Sequence, residues 1–197
     1  LRLCGAKIQK SGNAYSVTSS SLSNPEKPLD CGNSGTTIRL LMGLLSGQGI
    51  QAVLYGDDSL MSRPMDRVIN PLNEMGGNIS FKNKKIHIEK GNIKGGAIVN
   101  LTSSAQVKSA IIFAALGADK KTVLREFYYT RDHTERMISY FKNEAICIRG
   151  KNIEINPLQF TGRNIDISGD ISKASFLIAL ACLSDQSNLT IRECSIN

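Results

Sequence analysis

One pattern recurs along this chain and limits the folds open to it. Ala97-Ile98-Val99-Asn100-Leu101 alternates as a strand does, Ser103-Ser104-Ala105-Gln106 opens an apolar helix to about Leu116, and Thr122–Phe127 reads as a second strand. The same order returns near the C-terminus. There Asn164–Ile167 reads as a strand, Ile171–Leu183 as a helix and Leu189–Cys194 as a strand, with Lys173 where Lys108 fell. It also occurs earlier, where Ser34-Gly35-Thr36-Thr37 opens a helix to about Leu45 and Gln51–Tyr55 follows.

The second half of each unit repeats too. Met65, Val68, Ile69, Leu72 and Met75 share one helical face, with Pro64 suited to the first helical position and Gly76 to the end. Short strands follow around Asn78–Phe81 and Lys85–Ile88. Arg136–Phe141 makes a similar helix, and Ala145–Ile148 and Asn152–Ile155 a similar strand pair turning at Gly150-Lys151. The expected fold class is therefore α/β, in the α+β sense, with βαβαββ units of roughly 65–70 residues packed on one another. Leu3–Ile8 matches Glu74–Ile79, so the chain reads as an internal piece of a longer protein. Residues 1–33 hold the tail of a truncated first unit and its connection, 34–96 a second unit, 97–163 a third, and 164–197 the head of a further one. Ser19–Pro28 reads as a surface loop.

Composition narrows the function. Hydrophobic residues make up 41% of the 197, enough for a core, which excludes an intrinsically disordered chain. The apolar runs Ala110–Leu116 and Phe176–Leu183 are too short to span a bilayer, and the expected setting is cytoplasmic. Five cysteines (Cys4, Cys31, Cys147, Cys182, Cys194) form no C-x-x-C pair and read as small buried apolar residues. With only His87 and His133 beside them, no metal site is expected. The net charge of +7 points to an anionic partner. Lys82, Lys84 and Lys85 cluster in an apparent hairpin turn, but few aromatics lie nearby, so neither nucleic acid nor membrane is the expected partner.

Each unit opens its first helix with small, hydroxyl-bearing or amide residues: Asn33–Thr37, Ser103–Gln106 and Ser168–Ser172. A helix N-terminus presents free N–H groups and partial positive charge to phosphate or carboxylate. Gly35 lets an anion approach the backbone closely, and Ser104 adds a hydroxyl donor. Capping alone explains any one of these segments; three similar ends in one basic chain weaken that explanation and leave anion binding beside it. Arg63, before Pro64, is a candidate to grip a carboxylate, whereas Arg39 either reaches the helix start or faces solvent. In Thr130-Arg131-Asp132-His133-Thr134-Glu135, Asp132 or Thr134 is the candidate cap, Glu135 suits the positive helix end, and Arg131 is a further anion ligand. No P-loop or G-x-G-x-x-G fingerprint occurs.

The runs Gly32–Arg39, Arg63-Pro64-Met65, Ser104–Ala110, Thr130–Glu135 and Gly169–Ser175 closely resemble the 5-enolpyruvylshikimate-3-phosphate synthase family. The resemblance implies one lobe of an inside-out α/β barrel of the enolpyruvyl-transferase kind. It implies transfer of the enolpyruvyl group of phosphoenolpyruvate to the 5-hydroxyl of shikimate 3-phosphate, in aromatic amino-acid biosynthesis, with no metal or organic cofactor. By the same resemblance, Gly35, Arg63, Gln106, Asn33 and Thr36 hold phosphoenolpyruvate, and Ser104, Ala105, Gln106, Thr130 and Arg131 hold shikimate 3-phosphate. It further implies that the main acid–base groups lie outside this chain, in a second lobe. The full-length protein is then a monomer, and the isolated chain has no turnover. The rival readings are the UDP-N-acetylglucosamine enolpyruvyl transferase and a non-catalytic anion- or RNA-binding repeat module.

Overall fold

The repeat becomes two sheets of identical topology. A computed structural model describes residues 1–18 and 21–195. Its strands and helices are β1 (Lys7–Ser11), β2 (Ala14–Thr18), β3 (Leu29–Asp30), α1 (Gly35–Gly47), β4 (Ala52–Tyr55), α2 (Asp58–Met61), α3 (Asp66–Glu74), β5 (Asn78–Lys82), β6 (Lys85–Glu89), β7 (Ala97–Asn100), α4 (Ala105–Ala115), β8 (Thr122–Glu126), α5 (His133–Phe141), β9 (Ile146–Arg149), β10 (Asn152–Ile155), β11 (Gly169–Asp170), α6 (Ile171–Leu183) and β12 (Cys194–Ser195). One sheet runs β3-β4-β6-β5 and the other β7-β8-β10-β9. In each, the first two strands pair in parallel and the rest antiparallel. The parallel pairs are bridged by α1 and α4, as βαβ crossovers require. Both sheets are open, so this part of the chain closes no barrel.

The backbone around Gly5 and that around Gly76 share one local geometry. Gly5 (φ 93°) and Gly76 (φ 92°) both occupy the left-handed region that glycine reaches without steric cost. At each, two crossed N–H···O bonds close the helix end: Gly5 to Arg2 and Ala6 to Leu1, Gly76 to Asn73 and Gly77 to Leu72. The hairpin β1–β2 then follows the first as β5–β6 follows the second. Asn83 and Lys84, both at positive φ, make the tight turn expected beside Lys82 and Lys85.

α1 begins at Ser34, whose hydroxyl accepts from the Thr37 N–H at 3.1 Å, and ends in a further crossed pair at Gly49 and Ile50. Ile38, Met42 and Leu45 are fully buried on one face, each worth about 1.5–3 kcal/mol. α4 begins at Ser104 in the same way and is buried nearly all round, which makes it central to the core. α1 and α4 lie side by side and parallel. A Cβ on Gly43 would sit 2.0 Å from the Ala110 carbonyl oxygen, and one on Gly47 would sit 2.9 Å from Ala114 Cα, so the backbones nearly touch. The two N-termini therefore emerge together.

Several local expectations change. Pro64 precedes α3 rather than opening it, because Met65 is the N-cap residue. Cys4 and Cys31 are buried as expected, but Cys147 and Cys182 are exposed. Cys147 faces outward on the edge strand β9. The strand β3 lies just ahead of residue 34, and its two residues are too few to show alternation. Of the polar stretch 19–28, residues 19 and 20 lie outside the described residues, and 21–28 form neither helix nor strand.

The chain divides into compact units at Leu1–Phe160 and Thr161–Asn197. In the second, the strand expected at 164–167 does not form and the one expected at 189–194 survives only at Cys194; the observed pair is β11 and β12, parallel and two residues each, at 169–170 and 194–195. α6 forms over the expected residues, capped by Asp170, whose carboxylate accepts from the Ser172 N–H at 2.9 Å. Lys173 is exposed there, whereas Lys108 is buried.

Candidate functional site

The parallel packing of α1 and α4 brings their first turns into direct contact. Gln106, in the first turn of α4, donates from Nε2 to Thr36 Oγ1 at 2.8 Å, seventy residues away in sequence. Its Oε1 accepts a hydrogen bond from Arg39 Nη1. Arg39 thus reaches the joined helix ends and is half-buried there. A Cβ on Gly35 would lie 3.1 Å from Arg63 Nη1 and 3.3 Å from Arg39 Nη1, so two guanidinium groups close over this glycine. Arg63 Nη2 also donates to Asn33 Oδ1 at 2.5 Å. Asn33 in turn donates to Asp57, the cap of α2, at 2.6 Å. That bond and the Leu60 N–H, the larger influence, hold the Asp57 carboxyl below its ordinary range.

Gly35, Arg63, Gln106, Asn33 and Thr36 are thus linked in one chain of contacts. Burial, and then the charges of Arg67 and Arg63, lowers the Arg39 pKa. Among the described residues no carboxylate forms an ion pair with Arg39, Arg63, Arg67 or Arg131. Arg39 Nε is buried without a hydrogen-bond partner. Clustered guanidiniums that repel one another, beside two helix N-termini, form a site whose electrostatics favour an anion.

A cleft of about 600 Å³ opens at the same end of α4. It is lined by Arg67, Leu101, Thr102, Ser103, Ser104, Ala105, Gln106, Tyr128 and Arg131. Four of the five residues expected at the second anion site (Ser104, Ala105, Gln106 and Arg131) are therefore brought together. Thr130 differs: its hydroxyl turns inward and donates to Glu126 Oε1 at 2.8 Å. Sequence reading missed Arg67 and Tyr128. Arg67 lies in the first turn of α3, whereas Arg63 precedes that helix, so no helical spacing linked the two in sequence.

The polar run at 130–135 also departs from expectation. Asp132 occupies the N-cap position without capping; its carboxylate accepts from Arg136 Nε at 2.9 Å. Thr134 meets the Ser109 hydroxyl at 2.6 Å. Glu135 points into the core against Lys108 rather than serving the helix dipole. His133 is exposed. A larger cleft, about 850 Å³, is mostly apolar and lies by the C-terminal ends of α1 and α4, away from the arginines. No charged side chain lines it. In the lysine-rich hairpin, Lys84 pairs with Asp58 at 2.7 Å. Among the described residues no His/Cys/Asp/Glu group could hold a metal ion, and no helix is long and apolar enough to cross a membrane.

Fold and cleft together define an α/β protein, assembled from repeated units, that gathers anion-binding groups at paired helix N-termini. The family model for EPSP synthase (3-phosphoshikimate 1-carboxyvinyltransferase) matches residues 1–197, and the chain belongs to the EPSP synthase family. A 3-phosphoshikimate 1-carboxyvinyltransferase of Caldicellulosiruptor saccharolyticus is 45% identical over 185 residues, covering 90% of this chain and 43% of the relative. That of Staphylococcus epidermidis is 42% identical, covering 100% and 47%. The solved EPSP synthase of Acinetobacter baumannii superposes with a TM-score of 0.83 at 34% identity, covering all of this chain and 46% of that one. The chain spans about half the length of the relatives it matches.

Proposed function

We propose that the protein transfers the enolpyruvyl group of phosphoenolpyruvate to the 5-hydroxyl of shikimate 3-phosphate, and that this chain supplies one wall of the substrate cleft. The observation that carries this is the meeting of Gly35, Arg39, Arg63 and Gln106 at two helix N-termini, beside a cleft edged by Ser104 and Arg131. Phosphoenolpyruvate sits over Gly35, its charge met by Arg63 and by the helix ends. Shikimate 3-phosphate takes the cleft, with Ser104, the Ala105 backbone and Arg131 around it. Gln106 reaches both. Thr130 acts by holding the loop rather than by touching substrate.

The lining of this cleft includes no Asp, Glu, His or Lys. It can bind and orient anions but offers no group suited to proton transfer near neutral pH. The acid–base groups then come from the remainder of the full-length protein, which also shields the reacting atoms from water.

Calorimetric titration of this chain with shikimate 3-phosphate tests the reading. Saturable binding is expected, weakened about tenfold in Ser104→Ala and in Gln106→Ala, the loss typical of a charge-assisted hydrogen bond. No phosphate release is expected with both substrates present. Binding insensitive to both substitutions, or steady turnover by the chain alone, contradicts it.

A further inference from the structure

Lys108 is 1% exposed, in the first turn of α4. Its Nζ lies 2.6 Å from Glu135 Oε1 and 3.3 Å from Glu126 Oε1, and both carboxylates are themselves buried. The same nitrogen donates to the Thr130 carbonyl at 3.4 Å. The Thr130 hydroxyl closes the ring on Glu126, and the Ser109–Thr134 pair adds a second tie. These bonds join three places: the end of β8, the loop 127–132 and the first turn of α5. All are fastened to the start of α4.

That arrangement bears on the cleft. One wall is Ser104–Gln106, which opens α4; another is Tyr128 and Arg131, carried by the loop. Arg131 follows Thr130 directly and makes no ion pair of its own among the described residues. A buried ammonium with two carboxylates is weak evidence for stability, because apolar residues of similar size often serve as well. A registry role explains what stability does not.

We propose that Lys108, through Glu126 and Glu135, is a positioning residue that fixes the Tyr128–Arg131 wall against the N-terminus of α4 and so sets the affinity of the cleft for its phosphorylated ligand. This rests on the shikimate 3-phosphate reading above. Lys108 touches no substrate; it acts through Arg131.

The test uses the native chain and the variant Lys108→Met/Glu126→Gln/Glu135→Met, which removes all three buried charges while Glu126→Gln keeps an acceptor for the Thr130 hydroxyl. Readouts are thermal stability, ¹⁵N order parameters over residues 127–132, and shikimate 3-phosphate affinity. The variant is expected to fold, to lose order in the loop to below about 0.6, and to bind about tenfold more weakly. In an Arg131→Met background the same replacement is expected to cost less than about twofold, because the positioned group is gone. Glu135→Gln, which keeps an acceptor for Lys108, moves the same readouts less and serves if the triple variant does not fold. A folded variant with unchanged loop order and affinity overturns the proposal, as do fully additive losses in the cycle. If the native chain binds no shikimate 3-phosphate while the loop loosens in the variant, the clamp stands and the ligand reading falls.

Discussion

At Gly35 a Cβ would press against the Arg63 and Arg39 guanidiniums, at 3.1 and 3.3 Å. Its place was legible, since glycine after a hydroxyl cap at a helix start is local chemistry. Adding a methyl forces two flexible guanidinium tips aside by a few tenths of an ångström. Gly35→Ala should therefore fold with a melting temperature within about 3 °C of native, yet bind phosphoenolpyruvate about tenfold more weakly. Unchanged affinity by calorimetry would remove Gly35 from the site. The buried residues were less legible. Lys108 and Glu135 look like ordinary surface charges on two helices until α4 and α5 are packed together. Burial pushes the Glu135 carboxyl above its ordinary range, against the pull of Lys108. A raised carboxyl contributes stability that is complete below the ordinary carboxylate range and is lost as pH rises through the shifted value. Urea unfolding between pH 4 and 8 should show that loss in the native chain and a flatter profile in Glu135→Gln. Parallel profiles would show that Glu135 ionises as freely folded as unfolded.

Helix starts and stops were written locally: Ser34 and Ser104 cap, and Gly49 and Gly76 stop. Strand pairs around Asn83-Lys84 and Gly150 were equally readable. What sequence could not supply was partnership. β3, with two residues, exists only because β4 offers it a parallel neighbour. Gly43 has no visible role within an apolar helix read alone, and only the approach of α4 gives it one. Gly43→Ala drives a methyl into the Ala110 backbone, so the helices must part. A loss of about 3 kcal/mol is expected, with weaker anion binding because the paired N-termini separate. A change below about 0.5 kcal/mol in denaturant unfolding would mean that the helices slide freely and that their alignment is not fixed by this contact.

Across the molecule, the repeat was the most informative feature of the sequence. It forecast two sheets of one topology, and with it the common direction of α1 and α4. The second unit, Thr161–Asn197, was less legible: α6 forms as expected but leaves Phe176, Leu180 and Leu183 exposed, and its strands are minimal. The same apolar pattern is covered in α4 and bare in α6, so pattern alone does not say what lies against a helix. The chain also spans less than half of its EPSP synthase relatives in the cases quoted. What this chain holds by itself is a cluster of arginines and helix N-termini, which the proposed function reads as an anion site. An NMR titration of the ¹⁵N-labelled chain with shikimate 3-phosphate examines that directly. Saturating shifts should converge on the backbone amides of Ala105, Gln106 and Arg131 and extend across the contact to Gly35 and Thr36. Shifts centred instead on the Lys82–Lys85 hairpin, or scattered over the basic surface without saturation, would contradict it.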